Sequence, residues 1–193
     1  MTNKKEVKSI LLVGVGGQGT ILASKLLTLG LMEQGYDVKM SEIHGMSQRG
    51  GSVSSQVRYG EKVYSPVIEK GSADVLVSFE KMEALRWMEY LKPGGQVIVN
   101  DYKINPMPVL MEWREYSDTI LDEIKKAAPT KVVQANEEAE KLGNGKIMNI
   151  ILLGATVKAM GLQDIDWNRI IRENVKPAFV DMNLKAFEVG TTL

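Results

Sequence analysis

Residues 9–20 read SILLVGVGGQGT, and this stretch decides the fold. Residues 9–14 form a continuous run of apolar, β-favouring residues, which is typical of a strand buried on both faces of a parallel sheet. A cluster of glycines follows, and from residue 18 to about residue 34 the apolar residues recur at helical spacing until Gly35. The stretch therefore predicts a strand, a glycine turn and a helix in succession.

The rest of the chain repeats this alternation. We predict further strands at residues 36–43, 73–78, 96–100 and 131–134, and helices at residues 81–90, 118–127, 136–142, 146–160 and 167–190. Pro177 should split the last helix, and Asn136 should cap the helix that follows the strand at 131–134. Residues 53–59 and 62–67 flank a short turn, which predicts a hairpin, whereas the prolines at 106 and 108 predict an extended connector.

This order of elements predicts an α/β fold. Because strands alternate with helices, we expect a Rossmann-like, doubly wound, mostly parallel sheet with an inserted hairpin, arranged in three layers. The sequence contains no repeat, low-complexity tract or linker, so residues 1–193 are predicted to form a single domain.

The composition excludes several classes of function. Lys plus Arg and Asp plus Glu number 24 each, so no broad positive field is available to hold a nucleic acid. The absence of cysteine excludes thiolate ligands for zinc or iron–sulfur clusters, and a single histidine leaves no histidine pair for a metal. The start of the chain does not read as a signal peptide, and the apolar stretch at 147–160 is shorter than the roughly 20 residues that span a bilayer. We therefore expect a cytoplasmic protein that does not enter a membrane.

The first glycine turn has the spacing of a phosphate-binding motif. Gly14, Gly16 and Gly19 fit G-x-G-x-x-G between a strand and a helix, where backbone amides can approach a phosphate. Glu42 lies 23 residues beyond Gly19, the separation expected of a carboxylate that binds a ribose hydroxyl. One interpretation is a bound nicotinamide or flavin nucleotide; the other is a tight turn whose glycines serve packing alone.

A second polar loop, GMSQRGGS at residues 45–52, also contains adjacent glycines. Such glycines let the backbone approach a ligand, and the planar guanidinium of Arg49 suits a phosphate or carboxylate. The loop predicts an anion site, with a structural ion pair of Arg49 as the alternative. Asp101 and Glu42 are too far apart in sequence to predict a catalytic pair, and the other carboxylates are interpreted as solvated helix faces.

Five segments together point to one family. They are VGVGGQGT at 13–20, SEIHGMSQRGGSV at 41–53, NPMPVL at 105–110, LGNGKIMNIILLGA at 142–155, and Ala186, Phe187 and Gly190 near the end. In this order they resemble the gamma-type domain of the 2-oxoacid:ferredoxin oxidoreductases, and within that family the beta subunits of indolepyruvate:ferredoxin oxidoreductases. The resemblance extends over nearly the whole chain.

The resemblance implies a subunit that is inactive alone and contributes no catalytic residue. Thiamine diphosphate and 4Fe–4S iron–sulfur clusters would sit on a partner chain, the alpha subunit, and this chain alone would hold no cofactor. The complex would oxidatively decarboxylate an arylpyruvate with the co-substrate coenzyme A, giving an aryl-acetyl-CoA, carbon dioxide and reduced ferredoxin. Pyruvate, branched-chain and 2-oxoglutarate substrates remain alternatives, because the partner's pocket selects the 2-oxoacid.

The resemblance also assigns candidate binding residues. They are Gly16, Gly17, Gln18 and Gly19 in the first turn, and Ser47, Gln48, Arg49, Gly50 and Gly51 in the second loop. Both loops should lie at the carboxyl edge of the sheet and face the partner's thiamine site, with Arg49 on a coenzyme A phosphate or a partner carboxylate. Val15, Met46 and residues 105–110 are candidates for the partner surface, and its exposure would let the isolated chain self-associate.

Two alternatives from other classes stay open. A free-standing NAD-dependent dehydrogenase would use the G-x-G-x-x-G turn and Glu42 for the dinucleotide. A purely structural interaction module would bind no ligand at either glycine loop.

Overall fold

Six strands form one sheet in the computed structural model, which describes residues 6–44 and 50–193. The strands are Lys8–Val15 (β1), Asp37–His44 (β2), Ser52–Gly60 (β3), Ala73–Ser78 (β4), Leu91–Asn100 (β5) and Thr130–Val133 (β6). Their order across the sheet is β2-β3-β1-β4-β5-β6. β1, β4, β5 and β6 pair in parallel, and β3 runs antiparallel to both of its neighbours. The predicted mostly parallel, Rossmann-like sheet is confirmed.

Helices cover both faces of this sheet. They are Thr20–Glu33 (α1), Lys81–Trp87 (α2), Met107–Leu110 (α3), Ile120–Ala127 (α4), Ala135–Lys141 (α5), Met148–Met160 (α6), Trp167–Asn174 (α7) and Val180–Thr192 (α8). One apolar core joins the sheet to α1 and α5 to α8, and the other joins it to α2 and α4. The predicted three layers are therefore present, and Pro177 lies in a short 3-10 turn that separates α7 from α8.

The apolar run of β1 serves both cores. Ile10 and Leu12 face the core that contains α6, and Leu11 and Val13 face the core that contains α2. A strand buried on both faces needs apolar residues at every position, because successive side chains point to opposite sides. This requirement explains why the first strand shows no alternation of polar and apolar residues.

α6 is buried almost all round and crosses α8 at very short range. A Cβ atom on Gly190 would lie 2.1 Å from the Ile151 carbonyl oxygen, and one on Gly154 would lie 2.5 Å from the Phe187 carbonyl oxygen. Only glycine allows two helix backbones to approach so closely. Although α6 is strongly apolar, none of the helices in the described part of the chain has the length and apolar character needed to cross a membrane.

The hairpin predicted between residues 53–59 and 62–67 is not present, and the first of these segments pairs with another strand. β3 pairs with β2, and residues 62–67 form no strand. The Arg58 guanidinium donates from Nη1 to the carbonyl oxygens of Ser65 and Val67, at 3.0 and 3.1 Å, and Gln56 Oε1 accepts from the Ile68 amide at 2.6 Å. These bonds hold the segment across one face of the sheet, so it does not extend the sheet's edge.

Three smaller predictions also need correction. β5 begins at Leu91, five residues before the predicted start. It includes the glycines at positions 94 and 95, where its register with β4 is irregular. The connector with two prolines contains the one-turn helix α3 and is not extended throughout. Asn136 does not cap α5, which begins at Ala135, because its side-chain oxygen accepts from Asn100 Nδ2 at 2.7 Å.

Candidate functional site

The first glycine turn lies at the carboxyl edge of the sheet and is held in shape by Gln18. The Gln18 side chain accepts from the Val15 amide at 2.7 Å and donates to the Phe79 carbonyl oxygen, just beyond β4, at 3.0 Å. Both polar atoms of this side chain are thus bonded to the chain's own backbone. The geometry gives Gln18 a role in shaping the turn, and its role as a ligand residue stays a prediction.

Gly19 joins this turn to the start of α6. Its φ of +81° lies in the left-handed region, and a Cβ atom there would come within 2.4 Å of Asn149 Nδ2. Asn149 donates to the Gly19 carbonyl oxygen at 3.2 Å. Two of the distant sequence segments, the glycine turn and the stretch at 142–155, therefore meet in space because the turn leaves room for an asparagine amide.

The second loop meets the first turn through its glycines. The Gly16 amide donates to the Gly51 carbonyl oxygen at 2.8 Å, and the Gly50 amide donates to the Gly16 carbonyl oxygen at 3.3 Å. These bonds continue the β1–β3 pairing beyond the strands. Ser47, Gln48 and Arg49, as well as Met46, fall outside the described residues.

The first turn retains backbone donors that its own structure does not use. Among residues 6–44 and 50–193, the amides of Gly17 and Gly19 have no acceptor, whereas those of Val15, Gly16 and Gln18 are bonded. Gly17 also faces open space, since a Cβ atom added to it would contact nothing within 4 Å. Free amides beside a helix N-terminus are suited to an anionic ligand.

A cleft of about 650 Å³ opens beside the joined turns. One side is formed by Val15, Gly50 and Ser52, and another by the start of α2. The third side is apolar and comes from residues between β5 and α4, namely Ile104, Pro106, Met107 and Leu110. Of the predicted partner-surface residues, Val15 and four residues of the 105–110 segment thus border this cleft, together with Gly50 of the second loop.

Glu80 is a buried carboxylate that was not singled out in the sequence. Its side chain caps α2 by accepting from the Glu83 amide at 2.9 Å, and it also accepts from the Ile104 amide at 3.2 Å and the Tyr116 hydroxyl at 2.5 Å. Burial, followed by the hydrogen bond to Glu80, raises the pKa of the Tyr116 hydroxyl well above its ordinary value, so that Tyr116 stays a proton donor. Glu80 therefore ties the segment around residues 104–116 to the edge of the sheet.

Glu83 is the second buried carboxylate in this region. It accepts from the Ser52 hydroxyl at 2.5 Å and from the Trp87 indole at 3.3 Å, and it pairs with Arg86 Nε at 3.2 Å. Ser52 directly follows Gly51, so Glu83 fixes the stem of the second loop. The interpretation of these carboxylates as solvated is wrong for Glu80 and Glu83; the E-x-x-E spacing just after a buried strand is a capping signal that could have identified them.

Asn100, at the end of β5, completes the polar network. Its fully buried amide donates to the Phe79 carbonyl oxygen at 3.1 Å and to Asn136 Oδ1, and its oxygen accepts from the Ala135 amide at 3.0 Å. Asn100 and Gln18 donate to the same carbonyl. The network therefore links the ends of β1, β4 and β5 with the starts of α1 and α5.

Glu42 does not reach the first turn. In the sheet it lies opposite Ser55 of β3, and Ser55 in turn lies opposite Leu12 in the middle of β1. β3 thus separates β2 from β1 by two strand spacings, about 10 Å. A dinucleotide-binding fold places the strand with the ribose carboxylate directly beside β1, so the geometry does not favour the dehydrogenase interpretation.

Comparison with known proteins places these features in a family. A family model described as pyruvate ferredoxin/flavodoxin oxidoreductase matches residues 9–193. The chain is 40% identical over 190 residues to indolepyruvate oxidoreductase subunit IorB of Thermococcus kodakarensis, covering 94% of this chain and 93% of that protein.

Two solved structures have the same fold. The gamma subunit of a keto/oxoacid ferredoxin oxidoreductase from Geobacter sulfurreducens shares 25% identity with a TM-score of 0.69, covering 96% of each chain. The 2-oxoglutarate:ferredoxin oxidoreductase of Magnetococcus marinus gives a TM-score of 0.76 at 19% identity, covering 97% of this chain but 31% of that chain. Together with the match over residues 9–193, these likenesses show that the chain belongs to the pyruvate ferredoxin/flavodoxin oxidoreductase family.

Proposed function

We propose that this chain is the beta subunit of a thiamine- and iron–sulfur-dependent indolepyruvate:ferredoxin oxidoreductase and is inactive alone. The assembled enzyme oxidatively decarboxylates an arylpyruvate with coenzyme A and reduces ferredoxin. The choice of an arylpyruvate over other 2-oxoacids is supported by the 40% identity to a protein named as an indolepyruvate oxidoreductase subunit. A relative named as a 2-oxoglutarate synthase subunit is 28% identical.

The chain's own residues limit which parts of this chemistry it performs. With no cysteine and one histidine, it lacks the ligands that iron–sulfur clusters require. We therefore place the clusters and thiamine diphosphate on the alpha subunit. This chain shapes the carboxyl-edge cleft, excludes water from the adjoining site and binds the acyl acceptor.

The observation that carries the proposal is the junction of the two glycine turns beside the cleft. The amides of Gly17 and Gly19 have no acceptor among the described residues, and backbone amides of this kind suit the phosphates of coenzyme A. Arg49, which directly precedes Gly50 in the sequence, is the guanidinium that we assign to the same ligand. The Magnetococcus marinus enzyme, whose chain includes a domain of this fold, is described with coenzyme A and succinyl-CoA bound. Coenzyme A is accordingly the ligand that we assign to the turns.

The first test is anaerobic purification of the tagged chain from its native host. We expect a thiamine-containing, cysteine-rich protein in the eluate, together with viologen reduction that depends on both indolepyruvate and coenzyme A. Activity with another 2-oxoacid alone would correct the substrate. A lone, inactive chain that binds NADH would refute the proposal.

Replacing Arg49 tests the assignment of coenzyme A. Arg49→Ala in the assembled complex should raise the apparent KM for coenzyme A severalfold and leave the KM for indolepyruvate unchanged, because a charge-assisted bond to phosphate is lost. Arg172→Ala, which removes an exposed guanidinium of α7, is the matched control. If the Arg49→Ala complex assembles and its kinetics are unchanged, Arg49 does not bind coenzyme A.

A further inference from the structure

Residues 102–116, between β5 and α4, form an ordered loop that we call the arm. The arm folds on itself: the amides of Trp113 and Arg114 both donate to the Pro108 carbonyl oxygen, at 2.9 and 3.1 Å, and α3 supplies one helical turn. Glu112 has a φ of +60°, and no other residue of the described chain except glycine has a positive φ. A left-handed conformation at a residue with a side chain is strained, so the surrounding bonds must maintain it.

This folding directs large apolar side chains outward. The exposed fractions are 63% for Met107, 62% for Leu110, 48% for Met111 and 70% for Trp113. A single exposed apolar residue is ordinary, but four within seven positions of one ordered loop form a patch of the kind found at protein interfaces. Tryptophan and methionine are also enriched in the cores of such interfaces.

Both ends of the arm are anchored at the start of α2. The Ile104 amide and the Tyr116 hydroxyl both donate to the buried Glu80 carboxylate. The Lys81 amide donates to the Tyr102 carbonyl oxygen at 3.0 Å, and Lys81 also forms an ion pair with Asp101. The apolar side chains are thus presented by a fixed support, which lowers the conformational entropy lost when they bind a partner.

The arm is continuous with the candidate site. Met107 and Leu110 line the cleft together with Val15 and Gly50, and the exposed Trp113 follows Leu110 by three positions in the arm. A protein that closes the cleft over the glycine turns must therefore contact Met107 and Leu110. Because Trp113 is exposed on the same ordered loop, the same protein can also contact it.

We infer that the arm is the docking element for the thiamine-bearing alpha subunit, with Trp113 as its anchor; this inference rests on the proposed function. That subunit is the occupant because its thiamine site must face the turns that border the cleft. In addition, a domain of this fold makes up 31% of the longer Magnetococcus marinus chain, so further protein is attached to it there. The complementary surface on the alpha subunit is expected to be an apolar groove able to receive an indole ring.

The test measures how far the purified complex must be diluted before it dissociates, using anaerobic mass photometry. Trp113→Ala should raise the dissociation constant by at least about 30-fold, as expected for a buried tryptophan anchor at an interface. Tyr64→Ala, which removes an aromatic side chain that is 89% exposed outside the arm, should leave the dissociation constant unchanged. Unfolding midpoints of the isolated variants should match the wild type, because neither side chain is buried.

Three results would overturn the inference, and they are distinguishable. If Trp113→Ala dissociates as the wild type does, the arm is not the docking element and the proposed function is unaffected. If Trp113→Ala weakens only self-association of the isolated chain, the occupant is a second copy. If the wild-type chain assembles with no thiamine-containing protein, the proposed function fails and the assigned occupant fails with it.

Discussion

The two ends of the sheet carry clefts of nearly equal volume, about 650 Å³ at the carboxyl edge and about 620 Å³ at the amino edge, but they use polar groups differently. At the carboxyl edge Gln18, Glu80 and Asn100 bond to backbone atoms of turns and helix starts. At the amino edge Asp74 accepts from the Ser9 amide at 2.8 Å and also pairs with two partly exposed lysines, Lys8 and Lys92. The two clefts therefore hardly differ in size, and the difference between them lies in the partners of these polar groups.

The difference has a physical basis. A side-chain amide bonded to backbone fixes the direction of the neighbouring amides, and turns that must receive a ligand benefit from such preorganisation. Partly exposed ion pairs gain little free energy and impose little geometry, since water and salt screen them. At the amino edge burial also raises the pKa of Tyr59 above its ordinary value, so its hydroxyl stays neutral and adds no charge to that cleft.

The largest loss of stability is predicted for a substitution of Asn100. Asn100→Leu keeps the volume but leaves the Ala135 amide and Asn136 Oδ1 without their partner, which should lower the free energy of unfolding by about 3 kcal/mol. For a chain of this length that loss corresponds to a fall in Tm of roughly 6–12 °C. Thermal and urea unfolding measure it, with the exposed Asn168→Leu as the control. Equal losses in the two variants would contradict a special role for the carboxyl-edge network.

A smaller effect is expected at Gln18. Gln18→Met preserves the length of the side chain but deprives the Val15 amide of its acceptor, which should reduce the free energy of unfolding by roughly 1–2 kcal/mol. The Phe79 carbonyl oxygen keeps its bond from Asn100, so the double variant with Asn100→Leu should lose more than the sum of the single losses. Urea unfolding of both single variants and the double variant measures this coupling, with the exposed Gln163→Met as the control. Strict additivity would show that the two amides do not act on one acceptor.

The smallest change in stability is predicted at the amino edge, where the contribution of Asp37 depends on pH. The hydrogen bond from Lys39, followed by that from the Val63 amide, lowers the pKa of the Asp37 carboxyl below its usual value of 3.8. A carboxyl whose pKa is lower in the folded state stabilises the fold above its unfolded pKa, and this contribution is lost as the pH falls through the folded pKa.

Urea midpoints measured at pH 7 and pH 3 test this dependence. The wild type should lose a small part of its stability between the two values because of Asp37, and Asp37→Asn should show a correspondingly smaller loss. The exposed Asp164→Asn, for which no such hydrogen bonds occur among the described residues, serves as the control. An identical loss in Asp37→Asn and the wild type would show that the pair with Lys39 contributes nothing.

Elements that depend on local pattern were predicted well. The strand at Ala73–Ser78 has the predicted bounds, and the split of the last helix at Pro177 follows directly from proline's missing amide. The antiparallel pair was predicted with the wrong partner because the short turn at Gly60 and Glu61 is a local signal. In the folded chain the guanidinium of Arg58 and the amide of Gln56 bind the backbone of residues 65–68 instead.

The candidate site was predicted in part. Gly16 and Gly19 were identified from their spacing, and Gly50 and Gly51 from the loop's adjacent glycines and the family resemblance; the structure bonds Gly16 to both Gly50 and Gly51. Glu80 and Glu83 were missed although their E-x-x-E spacing after a strand is a capping signal, and Asn100 was missed because nothing local distinguishes a buried amide from a solvated one. Their burial results from helices and loops that arrive from far along the chain.

The sequence by itself determined the class of fold, the place of the glycine turns and the absence of thiolate ligands. These features depend on residue type and on spacing within about 20 positions. Only the tertiary structure decided that β3 separates β2 from β1, which removes Glu42 from the turn, and that the arm holds Trp113 in solvent. Both outcomes depend on contacts between distant segments, where burial and satisfied hydrogen bonds outweigh any local preference.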